Sequence, residues 1–516
     1  MYTLRQQDLT VRIVTTALDA PIEWPPARSP EPIQQLLNAF LSPPGSEPLF
    51  ARLQNPETLL VTTGQQPGLF TGPLYTVYKA LSAAALARRL EERWQRPVQA
   101  VFWVAGDDHD FVEANHLAWP ATDGSVAKLV LRQRDPEAAL TPMYRELLGP
   151  EVLTAVARLE QELPGAETKP DVLAWLRRHH PPEATVAASF AGALAELLAP
   201  YGVLCFDSTH RDAKRAAARH IIRALGLARD LDRDLVQRAR ELQAVGLDPG
   251  VPVGDGATLV MLESRLGRDR LVPSGDGFAT RRGGEQFSLA DLQTIAANEP
   301  ERLSGNVLLR PVLESAILPT VAYVAGPGEL RYLALTPPVY DRMRVHRQVP
   351  VPRWSGILVE PRVDRTLEKF GAELAELLEP GTLEQRVIRS QMPADVLTAL
   401  AELRRIVPAI YDRIEPRAVE IDPTLKKPVE SARQHALSES EDLEKRIVQH
   451  LKRRQETELA QVARARSAVL PDGKPQERVY GVIGYLARYG PGVLDLVAES
   501  IAAWYATALE AARATA

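Results

Sequence analysis

The stretch 58–116 constrains the fold more than any other. It holds two short apolar runs, TLLVTT (58–63) and PVQAVFWVA (97–105), and each stops abruptly at polar, chemically capable residues. The first is followed by GQQPGLFTGPLYTVYKA (64–80), the second by GDDHDFVEANH (106–116). Short β-branched runs that alternate with a helix-length segment read as a βαβ unit, whose parallel strands deliver their loops to one common edge. Ligands of open α/β sheets bind outside the carboxyl ends of the strands, so that edge is the expected active site. Between the runs, Pro73 suits the first turn of a helix. Val77, Ala80, Leu81, Ala84 and Ala87 then recur at helical spacing to about residue 94, with side chains small enough to lie close on a sheet.

The same grammar of strand, polar turn and helix returns further on. VLCFD (203–207) precedes a turn and a helix from about Arg211, and PTVAYVAGPGELRYLA (319–334) repeats the pattern. NVLLRPV (306–312) reads as a strand, and VPVPRWSGILVEP (349–361) as the last strand region. The expected fold is therefore α/β, a Rossmann-like core with a parallel sheet and connecting insertions, followed by an α-helical coiled-coil domain. The core takes residues 1–118, 183–250 and 300–362. A first insertion, helical and mixed, covers 119–182, with a hairpin at 116–132 and polar, Pro-interrupted helices at 136–181. A small, mostly antiparallel second insertion covers 251–299. The Pro-rich beginning, with one helical candidate at 33–41, is expected to wrap the core.

From about residue 363 the composition turns to Glu, Leu, Arg and Ala. Between 431 and 470 Leu437, Leu443, Ile447, Leu451, Leu459, Val462 and Val469 recur near helical spacing with charges between them, which predicts one long amphipathic helix able to enter a coiled coil. A helix at 394–414 and the turn IDPTLKKP (421–428) make an antiparallel hairpin the simplest arrangement. The coiled-coil domain is thus 363–470, and residues 471–516 form C-terminal helices that pack back on the core. An apolar seam on a lone hairpin would be exposed, so a homodimer through the coiled coil is expected.

At 516 residues the chain is too long for one core. Its 61 Lys+Arg against 66 Asp+Glu leave a net charge of -5, which supplies no general attraction for nucleic acid or an anionic membrane and favours small-molecule partners. The start MYTLRQQDLTVRIV lacks the basic beginning and apolar centre of a signal segment, and no run is expected to reach the roughly 18 apolar residues of a membrane span, so a cytoplasmic location is expected. The single cysteine, Cys205, excludes an intrachain disulfide and a multi-thiolate metal site, and its apolar run reads as core.

Four regions carry candidate chemistry. Gly64, Gly68 and Gly72 precede a helix, so backbone N–H groups and the helix N-terminus could cradle an anion, aided by Gln65, Gln66 and Thr71. The loop is neither a Walker A motif nor GxGxxG. Lys79, two turns into the helix, could reach a phosphate, but a solvated lysine is the default reading. In the second loop Asp107, Asp108, His109, Asp110, Glu113 and His116 place four carboxylates and two imidazoles within ten residues, an arrangement that a cation or a cationic group would relieve. Asp108 and Asp110 could hold Mg²⁺ together with nucleotide phosphates, or the carboxylates could bind an amine with His109 or His116 as general base. The spacing matches no strong zinc signature. Asp207, Ser208 and His210 end another strand and project toward the same edge. Last, Arg310 could fork onto a carboxylate or phosphate, or form a structural ion pair, and Gly326, Gly328 and Glu329 open a helix with donors for an anion.

TGQQPGLFTGPLYTVYKA, VFWVAGDDHDFVEANH, LLRPVLESAILPTVAYVAGPGELRYLA and the late PDGKPQERV together resemble the bacillithiol biosynthesis cysteine-adding enzyme family, through nearly the whole chain. The resemblance implies a ligase that joins L-cysteine to the glucosamine amine of glucosaminyl-malate, the last step of bacillithiol synthesis. It also implies a Rossmann-like core and a coiled coil that pairs two subunits. Asp107 stands where the family pattern has Glu, keeping the charge with a shorter reach. A carboxylate does not acylate an amine unaided, so ATP is the expected source of activation, with Mg²⁺ as its companion. Gly64–Gly72 would then cradle phosphate, and Arg310 with the GPGE loop would hold a carboxylate such as that of malate. A nucleotidyl-transferring enzyme acting on another small acid, or an inactive coiled-coil scaffold, are the alternatives.

Overall fold

The computed structural model describes residues 11–16, 22, 24–31 and 33–514. Most of the start on which the signal-segment expectation rests, and parts of the Pro-rich beginning, lie outside the described residues. The chain divides into two compact units, one made of 1–122, 126–358 and 476–516, the other of 123–125 and 359–475.

The first unit is built on five parallel strands, labelled in chain order β1 (Leu59–Gln65), β2 (Val98–Val104), β3 (Val203–Asp207), β4 (Thr320–Ala325) and β5 (Val349–Pro352). Their spatial order is β3-β2-β1-β4-β5, the doubly wound order in which the winding reverses between β1 and β4. β1 and β2 are covered on both faces: β1 is buried except at Gln65, and every residue of β2 is buried. The helix Leu74–Trp94 lies on the sheet and is covered in turn by the helix Gly492–Ala514. Ala80, Ala83, Ala84 and Ala87 let it approach closely on both sides.

That last helix corrects one expectation. Gly492–Glu510 reaches the length and mean hydropathy, 1.2, of a membrane span. Its Val497, Ile501, Tyr505 and Leu509 are nonetheless buried within the first unit, which makes it a core helix by packing. Residues 33–41 contain a 3₁₀ helix, Gln34–Ala39, beside the outer strand β3: Phe40 meets Phe206 edge-on and the Leu41 N–H donates to the Cys205 carbonyl. Cys205 itself is fully buried, and burial pushes its thiol up.

NVLLRPV is not a strand. Asn306 turns the chain by accepting from the Leu308 and Leu309 N–H groups, and a helix runs Arg310–Ile317 with Pro311 in its first turn. A short apolar run does not by itself distinguish strand from helix, and Pro311 was the available signal. The hairpin of the first insertion forms from His116–Pro120 and Val126–Val130, and the helices Glu151–Glu162 and Lys169–His179 follow. In the second insertion Val260–Ser264, Gly267–Ser274, Gly277–Thr280 and Gln286–Phe287 form an antiparallel sheet that takes its fifth strand, Leu303–Gly305, from beyond residue 299.

The second unit is helical. Ala394–Ile421 and Lys426–Arg454 pack as an antiparallel pair joined by the 3₁₀ turn Pro423–Leu425. The long helix expected at 431–470 is interrupted at Gln455, whose N–H is shared between the carbonyls of Leu451 and Lys452, and it resumes as Glu456–Val469.

Candidate functional site

A cavity of about 530 Å³ opens at the carboxyl edge of the parallel sheet, within the size range of small-molecule sites. Every strand of the sheet sends residues from its end or the turn beyond into it: Gly64 and Gln65 from β1, Ala105 to Asp108 from β2 except Gly106, Ser208 from β3, Gly326 from β4 and Arg353 from β5. The reversal point between β1 and β4 lies at its centre.

Lys79 anchors that point and is not the solvated lysine expected. It is buried, and its ammonium donates to the Gly64 carbonyl, to Glu329 Oε2 at 2.7 Å and to Gln65 Oε1 at 3.4 Å. Three donors meeting three acceptors is the arrangement of a charged ammonium. Burial pulls the Lys79 pKa down against the attraction of Glu329. Burial alone would raise Glu329, yet Lys79, the Gly326 N–H at 2.7 Å and the Tyr323 hydroxyl at 2.8 Å outweigh it and hold the carboxyl below its ordinary value. The Gly326 N–H expected to serve an anion is therefore taken by Glu329, while Gly328 lines the cavity.

Gly64 must be glycine for a local reason: a Cβ there would lie 2.8 Å from the Trp103 carbonyl of the neighbouring strand. Gln65 and Gln66 face the cavity, and Gln65 Nε2 donates to the Tyr75 hydroxyl at 3.1 Å. Burial, with Glu113 next in effect, pushes Tyr75 up to about 12. Gly68, Thr71 and Gly72 do not line the cavity. Phe70 and Thr71 adopt positive φ, Thr71 is buried, and Phe70 packs edge-on against His180. The helix start behind them is capped by protein, because the Leu74 N–H donates to the Tyr480 carbonyl.

The acidic loop separates into inward and outward residues. Asp107 and Asp108 line the cavity, and Glu113 reaches it from the short helix Phe111–Ala114. Met143 and Tyr144 of the first insertion brace this loop by donating backbone N–H groups to the carbonyls of Asp108 (2.7 Å) and Gly106 (3.0 Å). Asp107 pairs with the buried ammonium of Lys214, which also donates to the Leu303 carbonyl at 3.0 Å. Asp108 Oδ1 accepts the Asp110 N–H, while Asp110 is exposed and caps the short helix through the Glu113 N–H. His109 is half-buried, with Nδ1 3.4 Å from Arg268 Nη1; burial and then Arg268 pull its pKa down. His116 begins the hairpin and faces the Val112 carbonyl at 3.2 Å; neither histidine is among the residues that line the cavity. Among the described residues no cluster of three or more His, Cys, Asp or Glu is arranged to hold a metal. Of the two carboxylates expected to hold Mg²⁺, Asp108 lines the cavity and Asp110 is exposed.

Asp207 and His210 hold their own turn. Asp207 Oδ1 accepts from the Thr209 N–H and hydroxyl, and His210 Nδ1 accepts the Asp212 N–H at 3.2 Å. Only Ser208 of that turn lines the cavity. Arg310 lines it too, stacked 4.9 Å from the Tyr323 ring centre and paired with buried Glu314 at 2.8 Å, which is the structural ion pair of its two expected roles.

Several lining residues carried no local signal. Arg268 and Met261 come from the second insertion, Ser304 and Gly305 from the strand that completes its sheet. Arg353 is buried in a bidentate pair with Glu477, and Arg478 reaches the cavity from the same late segment. A charged residue inside VPVPRW, and another pair directly after the PDGK turn, were the available hints.

A doubly wound core with a charged cavity at its reversal point, two insertions bracing that cavity, and a helical-hairpin unit define a Rossmann-like protein with a coiled-coil domain. The description "Bacillithiol biosynthesis BshC, N-terminal Rossmann-like domain" matches residues 33–354 and "Bacillithiol biosynthesis BshC, C-terminal coiled-coil domain" matches 356–503. The chain belongs to this BshC family. Among curated relatives it is 33% identical over 457 residues to "Putative cysteine ligase BshC" of Salinibacter ruber, covering 86% of this chain and 81% of the relative. It is 31% identical to the protein of the same name from Heliobacterium modesticaldum over 466 residues, 88% and 83% of the two chains. For that of Symbiobacterium thermophilum the figures are 31% over 478 residues, 87% and 83%.

Proposed function

We propose that the protein is a ligase that joins L-cysteine to the glucosamine amine of glucosaminyl-malate, with ATP activating the cysteine carboxyl. The observation that carries this reading is the cavity at the β1/β4 reversal, where carboxylates and fixed cations face one space large enough for two small substrates. Activation needs attack of a cysteine carboxylate oxygen on a nucleotide phosphorus. The acyl–O–P bond forms as a phosphoanhydride bond breaks, and pyrophosphate or ADP leaves. The amine nitrogen then attacks the acyl carbon, the C–O bond to phosphorus breaks, and AMP or phosphate departs.

This chain's residues supply binding and a proton acceptor. Arg310, stiffened by Tyr323 and Glu314, receives a carboxylate of malate, with Gly328 beside it. Asp108 draws the amine or, with phosphates, would hold a magnesium ion, while Asp107 is already paired with Lys214. His109 is the base: it does not itself line the cavity but sits against Arg268, which does, whereas Asp110 is exposed and His116 begins the hairpin. An arginine can only donate, so the Arg268 contact leaves the lone pair of a neutral His109 on Nδ1. The amine proton therefore goes to Nδ1 once Arg268 has turned from it toward an anionic group. Dimerisation through the helical hairpin and action in the cytoplasm belong to the same reading.

The test is reconstitution. Purified protein with ATP, Mg²⁺, L-cysteine and glucosaminyl-malate should yield bacillithiol, identified by mass spectrometry of the trapped thiol. Absence of cysteine-dependent product, together with failure to restore bacillithiol in a cell lacking its own enzyme, would overturn the assignment.

A further inference from the structure

Of the six cationic side chains that line the cavity, four are neutralised by carboxylates: Lys79 by Glu329, Lys214 by Asp107, Arg310 by Glu314 and Arg353 by Glu477. The other two are Arg478, which is exposed, and Arg268. It is partly buried, yet its partners are neutral: Nε donates to Ser304 Oγ at 3.0 Å, Nη2 to the Gly305 carbonyl at 2.8 Å, and Nη1 faces His109 Nδ1 at 3.4 Å. A guanidinium has five N–H donors. Three are spoken for, one of them over a long contact, so the fork retains capacity on its cavity side.

The backbone around Arg268 is built to hold it there. The Arg268 N–H donates to the Leu140 carbonyl at 2.9 Å, and the Leu140 N–H returns to the Leu266 carbonyl at 3.0 Å. Gly267, at φ +80°, is pressed so closely on Leu140 that a Cβ would lie 2.4 Å from its carbonyl oxygen. The first insertion holds the backbone of Arg268, and the strand Leu303–Gly305 holds its side chain. A guanidinium desolvated without a carboxylate is costly unless an anion joins it. Planar oxyanions are what its fork fits.

We infer that Arg268 is an anion-binding residue of this cavity, and that the second insertion serves the site by presenting it to a carboxylate or phosphate oxygen of the substrates. This rests on the ligase reading for the identity of those substrates, but the binding itself is measured without turnover. In the resting site the guanidinium leans on His109; with an oxyanion present it turns to the ligand.

The experiment is calorimetric titration of the full-length protein with MgATP and, separately, with glucosaminyl-malate. Arg268→Gln should weaken one of the two at least tenfold and leave the other within twofold, and the ligand affected says whether phosphate or carboxylate is held. Arg268→Lys, which keeps charge and loses the fork, should fall between Gln and the parent. In case Arg268→Gln does not fold, modification of the parent by phenylglyoxal, read at Arg268 by mass spectrometry, should slow severalfold under saturating ligand. A folded Gln variant that binds both ligands within twofold of the parent would overturn the inference, as would modification unchanged by either ligand. A parent protein that binds neither ligand would instead overturn the ligase reading.

Discussion

Lys79 and Glu329 meet as an ion pair, Nζ to Oε2 at 2.7 Å, across the point where the winding of the parallel sheet reverses. One residue sits in the helix that leaves β1, the other in the helix that leaves β4, so the pair fastens together the two turns that make the crevice. Tyr323, at the heart of β4, donates to the second carboxylate oxygen, and the Gly64 carbonyl accepts from the lysine. The site is therefore organised by a buried polar network, in which each member is costly to leave alone.

Lys79→Met should lower stability by about 3–5 kcal/mol, because it strands a largely buried carboxylate. Replacing both partners, Lys79→Met with Glu329→Met, should restore part of that loss. Urea unfolding of the parent, both single variants and the double variant closes the cycle. Additive losses would mean that the two residues are not energetically coupled.

His109 and His116 are separated by only seven positions, yet the short helix between them leaves one beside Arg268 and the other at the start of a hairpin. His109→Ala should reduce the rate of amide formation by about 10²–10⁴-fold, the usual contribution of a positioned base. His116→Ala should stay within a few fold of the parent. Single-turnover assays on preformed activated cysteine isolate this step, and equal losses in the two variants would remove His109 from the role.

What the sequence made legible follows contact range. The βαβ unit, the inward Asp108, Arg310 and the β4 turn were readable because local periodicity and strand ends determine them. Lys79 was misread because its burial depends on Glu329, 250 positions away, and no pattern around Lys79 reports that partner. Arg268, Arg353 and Arg478 were missed likewise: insertions and a late return segment bring them in, and their immediate neighbours look like ordinary strand or turn. Gly68 and Gly72 show the converse, since their glycines serve a tight, buried turn and not a ligand.

His180 predicts a pH dependence of stability. Its ring is 2% exposed and packs on Phe70; Nδ1 faces the Leu176 carbonyl at 3.0 Å and Nε2 has no hydrogen-bond partner among the described residues. Burial pulls its pKa from 6.5 down to about 4. The unfolded chain therefore takes up a proton first as pH falls. The stability tied to a neutral His180 is complete above 6.5 and lost progressively toward 4, about 3 kcal/mol in all. His180→Phe should flatten that part of the pH profile relative to the parent in urea melts at pH 7, 5.5 and 4. An unchanged difference between the two proteins across the range would contradict it.

The chain leaves the first unit after Leu358 and re-enters at Gln476, and these residues touch. The Gln476 side chain accepts the Leu358 N–H at 2.9 Å and donates to its carbonyl at 2.9 Å, like a short piece of strand. Glu477 then secures Arg353. Replacing 359–475 with a short Gly-rich linker should leave a folded, cooperative first unit by circular dichroism and thermal melting. Ending the chain at 475 should not, because it strands the buried Arg353 and removes the core helix behind Leu74–Trp94. If both shortened chains melted alike, the return segment would not be part of this fold.

The helical hairpin carries the last prediction. On Ala394–Ile421 the side chains of Leu403, Ile406, Ile410, Ile414 and Ile421 are exposed at intervals of three, four, four and seven residues, with Ile421 as open as 82%. That is a seam on one face of a helix, and a single chain leaves it in water. The partner helix Lys426–Arg454 does not cover it, and adds Leu443 at 49% to the exposed apolar surface. A second copy of the same hairpin presents the matching seam, so the expected state is a homodimer. Sedimentation at micromolar concentration should give about twice the 56.8 kDa chain mass. Ile410→Asp with Ile414→Asp places two charges in the seam and should yield a monomer with an unchanged first-unit melting transition. A parent protein that sediments only as the single chain would show that the seam does not pair under those conditions. A double variant that stays dimeric would locate the contact elsewhere.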